Sequence, residues 1–306
     1  MNARRGILQE LNKNKILFLM ILPTLLLFIL FSYIPMVGVY YAFTSYDFNK
    51  GLFGSPFVGF KNFEFLLRSG NLYVITRNTI LYNLVFIGLG SFLQILCAVI
   101  LSEIPGKWFK KVTQSVLFLP YFISFVLIGA FAYNLFSSIG VANSLLKQLG
   151  MQPYDFYLHA APWKYVIVFF NIWKGLGYGT VIYLAVITGI STEYYEAARI
   201  DGANKFQQIR FITLPLLKPT FILLLLFSLG GILRGQFDLF YQIIGNNGML
   251  FATTDIIDTY VYRSLMINFD IGMGTAAGLY QSFFGFLLVM TVNYLIKRNY
   301  KEYALF

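Results

Sequence analysis

Residues 193–219 read EYYEAARIDGANKFQQIRFITLPLLKP, the polar exception in an otherwise apolar chain. Seven of these residues are charged (Glu193, Glu196, Arg199, Asp201, Lys205, Arg210 and Lys218), and long apolar runs lie on both sides. Ser191 or Thr192 can cap a helix start, with acidic residues in the first turn. EYYEAARI contains good helix formers and no breaker, and Gly202 then interrupts. FQQIRFI gives a second helical stretch, with Phe206, Ile209 and Phe211 or Ile212 available to one apolar face. Pro215 is expected to end that stretch and Pro219 to mark entry to the next apolar run. The segment predicts a short helix–turn–helix that offers polar and apolar faces to a soluble partner.

What surrounds this stretch decides the class. Of 306 residues, 58% are hydrophobic and only 12% charged, about half the charged share of a soluble domain. So few charges could hardly cover a water-facing surface, so lipid is the expected solvent. Residues 16–46, 78–102, 112–146 and 271–296 carry no charge, and each is longer than the roughly 20 residues that cross a bilayer as helix. Two further spans are interrupted: about 164–190 by Lys174, and about 219–243 by Arg234 and Asp238. The runs are continuous apolar blocks rather than alternating segments, so they predict helices, not strands. The expectation is an all-α polytopic membrane protein with six transmembrane helices. The first span is too long for a signal peptide and no A-x-A-like site follows it, so it reads as retained.

Net charge is +10, which would suit nucleic acid, but the basic residues sit in short clusters between apolar spans. With the N-terminus inside, fourteen Lys and Arg residues face the cytoplasm and seven face outward, which places both termini and the 191–217 loop in the cytoplasm. The divisions expected are an N-terminal segment 1–15, a six-helix domain 16–297 and a tail 298–306. The outer connections, about 44–72, 138–163 and 245–273, are long enough to carry short helices of their own.

Catalytic chemistry is not legible. His159 is the sole histidine and has no nucleophile or carboxylate cluster to work with. Cys97 lies in an apolar run and reads as a small buried residue. Gly175, Gly177 and Gly179 superficially resemble a phosphate loop, but they sit mid-span without a following Lys-Ser/Thr, so close helix packing is expected.

The spacing of the polar stretch is specific. Glu196-Ala197-Ala198, three residues, Gly202, nine residues, then Ile212-x-Leu214-Pro215 matches EAA-x3-G-x9-I-x-L-P at all seven specified positions. This is the EAA motif, and the chain resembles the membrane subunits of binding-protein-dependent ABC importers. KNKILFLMILPTLLLFILFSYIPMVGVYYAF, FVGFKNFEFLL, LFLPYFIS, WKGLGYGTVIYLAVITGI and DIIDTYVYR extend the likeness over nearly the whole chain. They are similar to carbohydrate-uptake permeases of the oligosaccharide type.

The resemblance implies the type I importer transmembrane-domain fold in a bacterial plasma membrane. It also implies a second homologous permease, two cytoplasmic ATPase subunits, an extracytoplasmic solute-binding protein and an oligosaccharide substrate. No cofactor is expected on this chain, because ATP and Mg would bind the ATPase, and no nucleic-acid partner is expected. The loop becomes the coupling helix, with Glu196, Ala197, Ala198, Asp201, Gly202, Ile212, Leu214 and Pro215 as its set. Glu196 anchors it, the two alanines allow close approach, and Gly202 makes a turn where a Cβ is expected to clash. An ion-coupled secondary transporter or channel is the rival reading, and it would need no such loop.

Charges at membrane depth usually face a protein interior or a wet cavity. Arg234 and Asp238 are four apart, so one reading is mutual neutralisation on a helix face. The other puts Arg234, with Lys174, on the translocation cavity, attracting an anionic sugar such as a uronate. Gln236, Tyr241, Gln242, Trp173 and Tyr178 would then hydrogen-bond or stack on sugar rings.

Overall fold

The computed structural model describes residues 13–299. Arg4, Arg5 and Lys301, with most of the two terminal segments, therefore lie outside the described residues. Among the described residues the fold is helical, and its only extended pairing is an isolated antiparallel bridge between Thr44 and Phe57. Backbone groups in lipid have no water to bond, so each segment satisfies its own N–H and C=O groups as helix.

Six helical stretches are long and apolar enough to cross a membrane: Lys15–Phe43, Asn71–Glu103, Phe125–Gln148, Trp163–Thr188, Lys205–Gly230 and Ile271–Arg298. Short helices occupy all three long connections, including Lys61–Arg68, Val141–Gln148 and Ile257–Met266, as expected from loop length.

Two spans depart from the run of uncharged residues. The apolar block 112–146 is not one helix. Lys107–Phe118 gives way to a 3-10 turn, Leu119–Phe122, and a fresh helix starts at Phe125 with Ser124 as its cap. Pro120 is the physical cause, since it has no N–H for the ladder and restricts the residue before it. That helix closes at Phe136, and Val141–Gln148 is a separate piece. The fifth span begins earlier and ends earlier than 219–243. It stops at Gly230, and Phe237–Ile244 is a separate helix, so Arg234 and Asp238 are not inside a span.

Three buried clusters hold the spans together. One joins the second and fourth spans to the helices 125–136 and 237–244 through Tyr82, Ile128, Trp163, Ile167 and Phe240. A second gathers Leu66, Ile75, Leu233, Ile257 and Met273. A third, Ala98, Leu101, Tyr183, Ile187 and Leu217, lies where the second, fourth and fifth spans approach the 189–204 turn. The first span is different. None of its most apolar window is buried, and only its 3-10 portion, Ile34–Phe43, packs on the sixth span.

Two of the three mid-span glycines, Gly177 and Gly179, pack closely as expected, whereas Gly175 faces open space. A Cβ on Gly177 would stand 2.2 Å from the Leu117 carbonyl oxygen, and one on Gly179 would stand 2.1 Å from Gln94 Cδ. Cys97 is half-buried rather than fully enclosed.

Candidate functional site

Ser191 accepts the Glu193 N–H at 3.3 Å and starts the helix Thr192–Ile200. The helix closes with the Gly202 N–H on the Arg199 carbonyl at 3.0 Å and the Ala203 N–H on the Ala198 carbonyl at 2.8 Å. That pair of bonds requires a left-handed residue at the turn, and Gly202 supplies it with φ of +80°. A Cβ there would meet nothing within 4 Å. The expected clash is absent, so the demand for glycine is one of backbone conformation.

Asn204 and Gln207 then cap each other, each side-chain oxygen accepting the other's N–H at 2.9 and 2.8 Å. The helix begun at Lys205 does not end at Pro215. It widens through a π segment, Ile209–Thr213, and runs on as Leu214–Gly230. A proline ring crowds the carbonyl four residues back, and a widened turn immediately before Pro215 relieves that crowding.

The motif residues are presented rather than packed away. Glu196, Ala197, Asp201, Gly202, Leu214 and Pro215 are exposed, and Ala198 and Ile212 are half-buried. Beside them Ile200 is 87% exposed and Phe206 69%. The helix is held from behind by a hydrogen bond of 2.9 Å between the Tyr195 hydroxyl and Thr213 Oγ1. Lys205 also pairs with Glu103 at the end of the second span, at 2.6 Å. A cavity of about 410 Å³ lies between these elements, lined by Glu103, Lys110, Tyr195, Glu196, Arg199 and Lys205 among others.

The second candidate region is the break after Gly230. Its carbonyls are collected by amides from other spans. Asn83 donates to the Ile232 and Arg234 carbonyls at 2.9 and 3.0 Å, and Gln281 donates to Leu233 at 2.7 Å. Asp258 accepts the Gly235 N–H at 2.6 Å and Gln281 Nε2 at 3.1 Å. Burial pushes the Asp258 carboxyl above the usual carboxylate range, against the opposing pull of those two donors and of the Arg234 charge. Arg234, Gln236 and Asp238 are exposed at this break. No ion pair joins Arg234 to Asp238 among the described residues. They share no helix, because Arg234 precedes the helix that contains Asp238, so the neutralised-pair reading is not met.

Tyr241 belongs to an aromatic group on the helix that follows Arg234, stacked on Phe237 at 5.3 Å and edge-on to Tyr262 at 4.8 Å. Gln242 is half-buried on the same short helix, its backbone packed close to Gly129. Lys174 is engaged elsewhere. Its ammonium donates to the Tyr121 carbonyl at 2.8 Å and to the Ile123 carbonyl, and it lies 4.8 Å from the Phe125 ring centre. It satisfies carbonyls freed where the 3-10 turn breaks the helix. Tyr178 stacks on Tyr121 at 4.9 Å. Trp173 faces a groove between the second and fourth spans. Among the described residues no hydrogen bond, ion pair or ring contact links the Lys174 group to the Arg234 group.

Sequence reasoning missed the buried polar framework. Asp255 and Arg263 form an ion pair of 2.6 Å with side chains only 7% and 15% exposed, and Asn78 donates to the Asp255 carbonyl at 3.0 Å. The available signal was uncharged polar residues inside apolar spans (Asn78, Asn83, Gln281), each an expensive choice in lipid unless bonded.

Residues 90–301 match the family described as "Binding-protein-dependent transport system inner membrane component". A permease protein of the polygalacturonan/rhamnogalacturonan transport system, YteP of Bacillus subtilis (strain 168), is 32% identical over 98% of this chain and 93% of its own length. LplB of the same organism is 31% identical over 99% and 95%. The chain superposes with a TM-score of 0.86 and 30% identity on a solved structure, covering 96% of this chain and 99% of the other. That structure is a chain of a bacterial ABC transporter involved in the import of the acidic polysaccharide alginate. A second match, with a TM-score of 0.86 and 29% identity, is the alginate transporter in complex with a pentasaccharide-bound periplasmic protein. Six apolar helices, the near-complete coverage and the family match agree on a multi-pass bacterial inner-membrane permease subunit, non-catalytic in itself. The chain therefore belongs to the binding-protein-dependent transport system inner membrane components.

Proposed function

We propose that this permease forms half of the translocation pathway of an ATP-driven oligosaccharide importer, and that its substrates include acidic, uronate-containing oligosaccharides. The observation that carries the reading is Arg234. Its guanidinium is exposed at the break of the fifth span, with no hydrogen-bonding partner among the described residues, and the short helix that follows carries Phe237 and Tyr241 in one aromatic group with Tyr262. A cation followed by ring faces suits a carboxylated sugar, because the charge draws the carboxylate while the apolar sugar face stacks. Polygalacturonan, rhamnogalacturonan and alginate are the substrates named for relatives above.

The cytoplasmic partner in this proposal is an ATPase pair carrying ATP and Mg, with its cleft filled by the helix Thr192–Ile200. Exposed Tyr194 and Ile200 give that helix apolar contact area, Phe206 adds to it from the start of the next helix, and Glu196 and Asp201 give it charge. A second homologous permease completes the pathway, and an extracytoplasmic binding protein delivers sugar to the outer connections. ATP-driven closure of the ATPases draws the coupling helices together, and the pathway alternates between its two openings. The N-terminal segment 1–15, the permease domain 16–297 and the tail 298–306 are the corresponding parts.

The test is uptake by the assembled transporter of labelled acidic and neutral oligosaccharides of equal length. Arg234→Ala is expected to abolish uptake of the acidic ligand while the subunits still co-purify. Unchanged uptake kinetics would remove Arg234 from the pathway. Co-purification without any ATPase, together with full transport by Glu196 and Gly202 variants, would overturn the importer reading itself.

A further inference from the structure

The second and fourth spans do not close on each other along their full length. Between them runs a groove of about 880 Å³, lined almost entirely by apolar side chains. One wall is Leu81, Val85, Leu89 and Leu93, a row at four-residue spacing, and the other includes Phe169 and Trp173. Its chemistry changes abruptly at one end, where Arg77 and Lys164 stand in the opening turns of the two spans.

Neither cation is paired with a carboxylate among the described residues. Arg77 uses Nη2 on Asn78 Oδ1 at 3.1 Å and on the Ala252 carbonyl at 3.3 Å, which leaves the rest of its five-donor fork open. Lys164 rests 4.9 Å from the Tyr165 ring centre, and both cations are exposed. Two uncompensated cations at the mouth of an apolar groove select an amphiphile with a negative head.

Length agrees. From Leu81 to Leu93 a helix rises about 18 Å, against roughly 15 Å for the hydrocarbon of one leaflet. The cations stand one turn or more beyond the apolar row, at headgroup level. We propose that this groove is a binding site for an anionic phospholipid, its acyl chain lying along Leu81–Leu93 and its phosphate held between Arg77 and Lys164. Under the orientation read from lysine and arginine counts, the lipid belongs to the extracytoplasmic leaflet.

Trp173 is a reporter placed in the groove. The transporter, isolated from its own membrane, is returned to phosphatidylcholine vesicles containing a small fraction of lipid with brominated acyl chains. The Trp173 signal is taken as the difference from Trp173→Phe. Brominated phosphatidylglycerol is expected to quench it more strongly than brominated phosphatidylcholine. Arg77→Gln and Lys164→Gln are each expected to lower that preference about fivefold, whereas Arg77→Lys and the distant Lys61→Gln retain it. Leu89→Phe, which narrows the groove, is expected to weaken quenching of Trp173 by either lipid. Equal quenching by the two lipids, or a preference untouched by both glutamine variants, overturns the proposal. So does Trp173 that no brominated lipid quenches, since a protein helix then fills the groove.

Discussion

Arg263 and Asp255 meet through both prongs of the guanidinium, Nη2 to Oδ2 at 2.6 Å and Nη1 to Oδ1 at 3.1 Å. Thr259 adds a third donor to the carboxylate at 2.8 Å, and Phe251 lies 4.0 Å beneath the guanidinium carbon. Removing one charge strands the other in a nearly closed site. Arg263→Met is expected to cost about 3–5 kcal/mol of stability, and the Asp255→Asn/Arg263→Met double variant is expected to cost less than Arg263→Met alone. Thermal unfolding of the detergent-solubilised chain measures both. A double variant as damaged as the sum of its singles would show that the pair is not coupled.

Gly202 should respond to substitution through its backbone alone. Open space surrounds the missing Cβ, so Gly202→Ala pays only the left-handed conformation, about 1–2 kcal/mol, and Gly202→Asn costs less than Gly202→Ala. Hydrogen exchange at Ala203, whose N–H closes the turn, is the direct readout. Equal protection in the three proteins would contradict it.

The glycines of the fourth span should separate cleanly. Gly177→Ala drives a methyl into the backbone of Leu117 and is expected to cost about 1–3 kcal/mol. Gly175→Ala meets nothing within 4 Å and is expected to leave the melting temperature unchanged or raised. Comparable losses at both positions would refute the packing shown here.

Lys174→Met removes the donor from the Tyr121 and Ile123 carbonyls, and an expected loss of about 1–3 kcal/mol follows from leaving acceptors unsatisfied. Reduced uptake with unaltered stability would instead make Lys174 a pathway residue.

Asp258 ionises less readily in the folded protein than in the unfolded chain. The folded state therefore binds the extra proton, and this group's contribution to stability is lost as pH rises through the raised value. Relative to Asp258→Asn, the wild type is expected to lose stability as pH rises above the ordinary carboxylate range. A stability difference constant over that rise would show that Asp258 is not destabilised as a carboxylate.

Charge-free runs located four of the six spans and nearly charge-free runs the other two, because lipid tolerates little else, and the EAA spacing located the turn. The places where a span breaks were harder to see. Pro120 is written in the sequence, but the end of the fifth span at Gly230 is not, since apolar residues continue to Leu233. That break persists because Asn83, Gln281 and Asp258 come from three other elements to take up its backbone groups. Long-range partners of this kind have no local signature. The same holds for Lys174, whose depth suggested a cavity but whose ammonium is spent on a neighbouring helix break. Arg263 and Asp255 sat inside a stretch quoted for its likeness alone, and only the fold shows that they face each other.

From Lys205 to Gly230 the helix is unbroken, about 39 Å of rod. Pro215, which follows the π segment, does not interrupt the rod. One end begins three residues past Gly202, and the other stops four residues before Arg234. In the proposed importer, a push delivered at the turn is carried along this one helix to the break. In the proposed cycle the ATPase thus works a crank whose far handle is the amide-clamped break, and the guanidinium of Arg234 moves whenever the turn does.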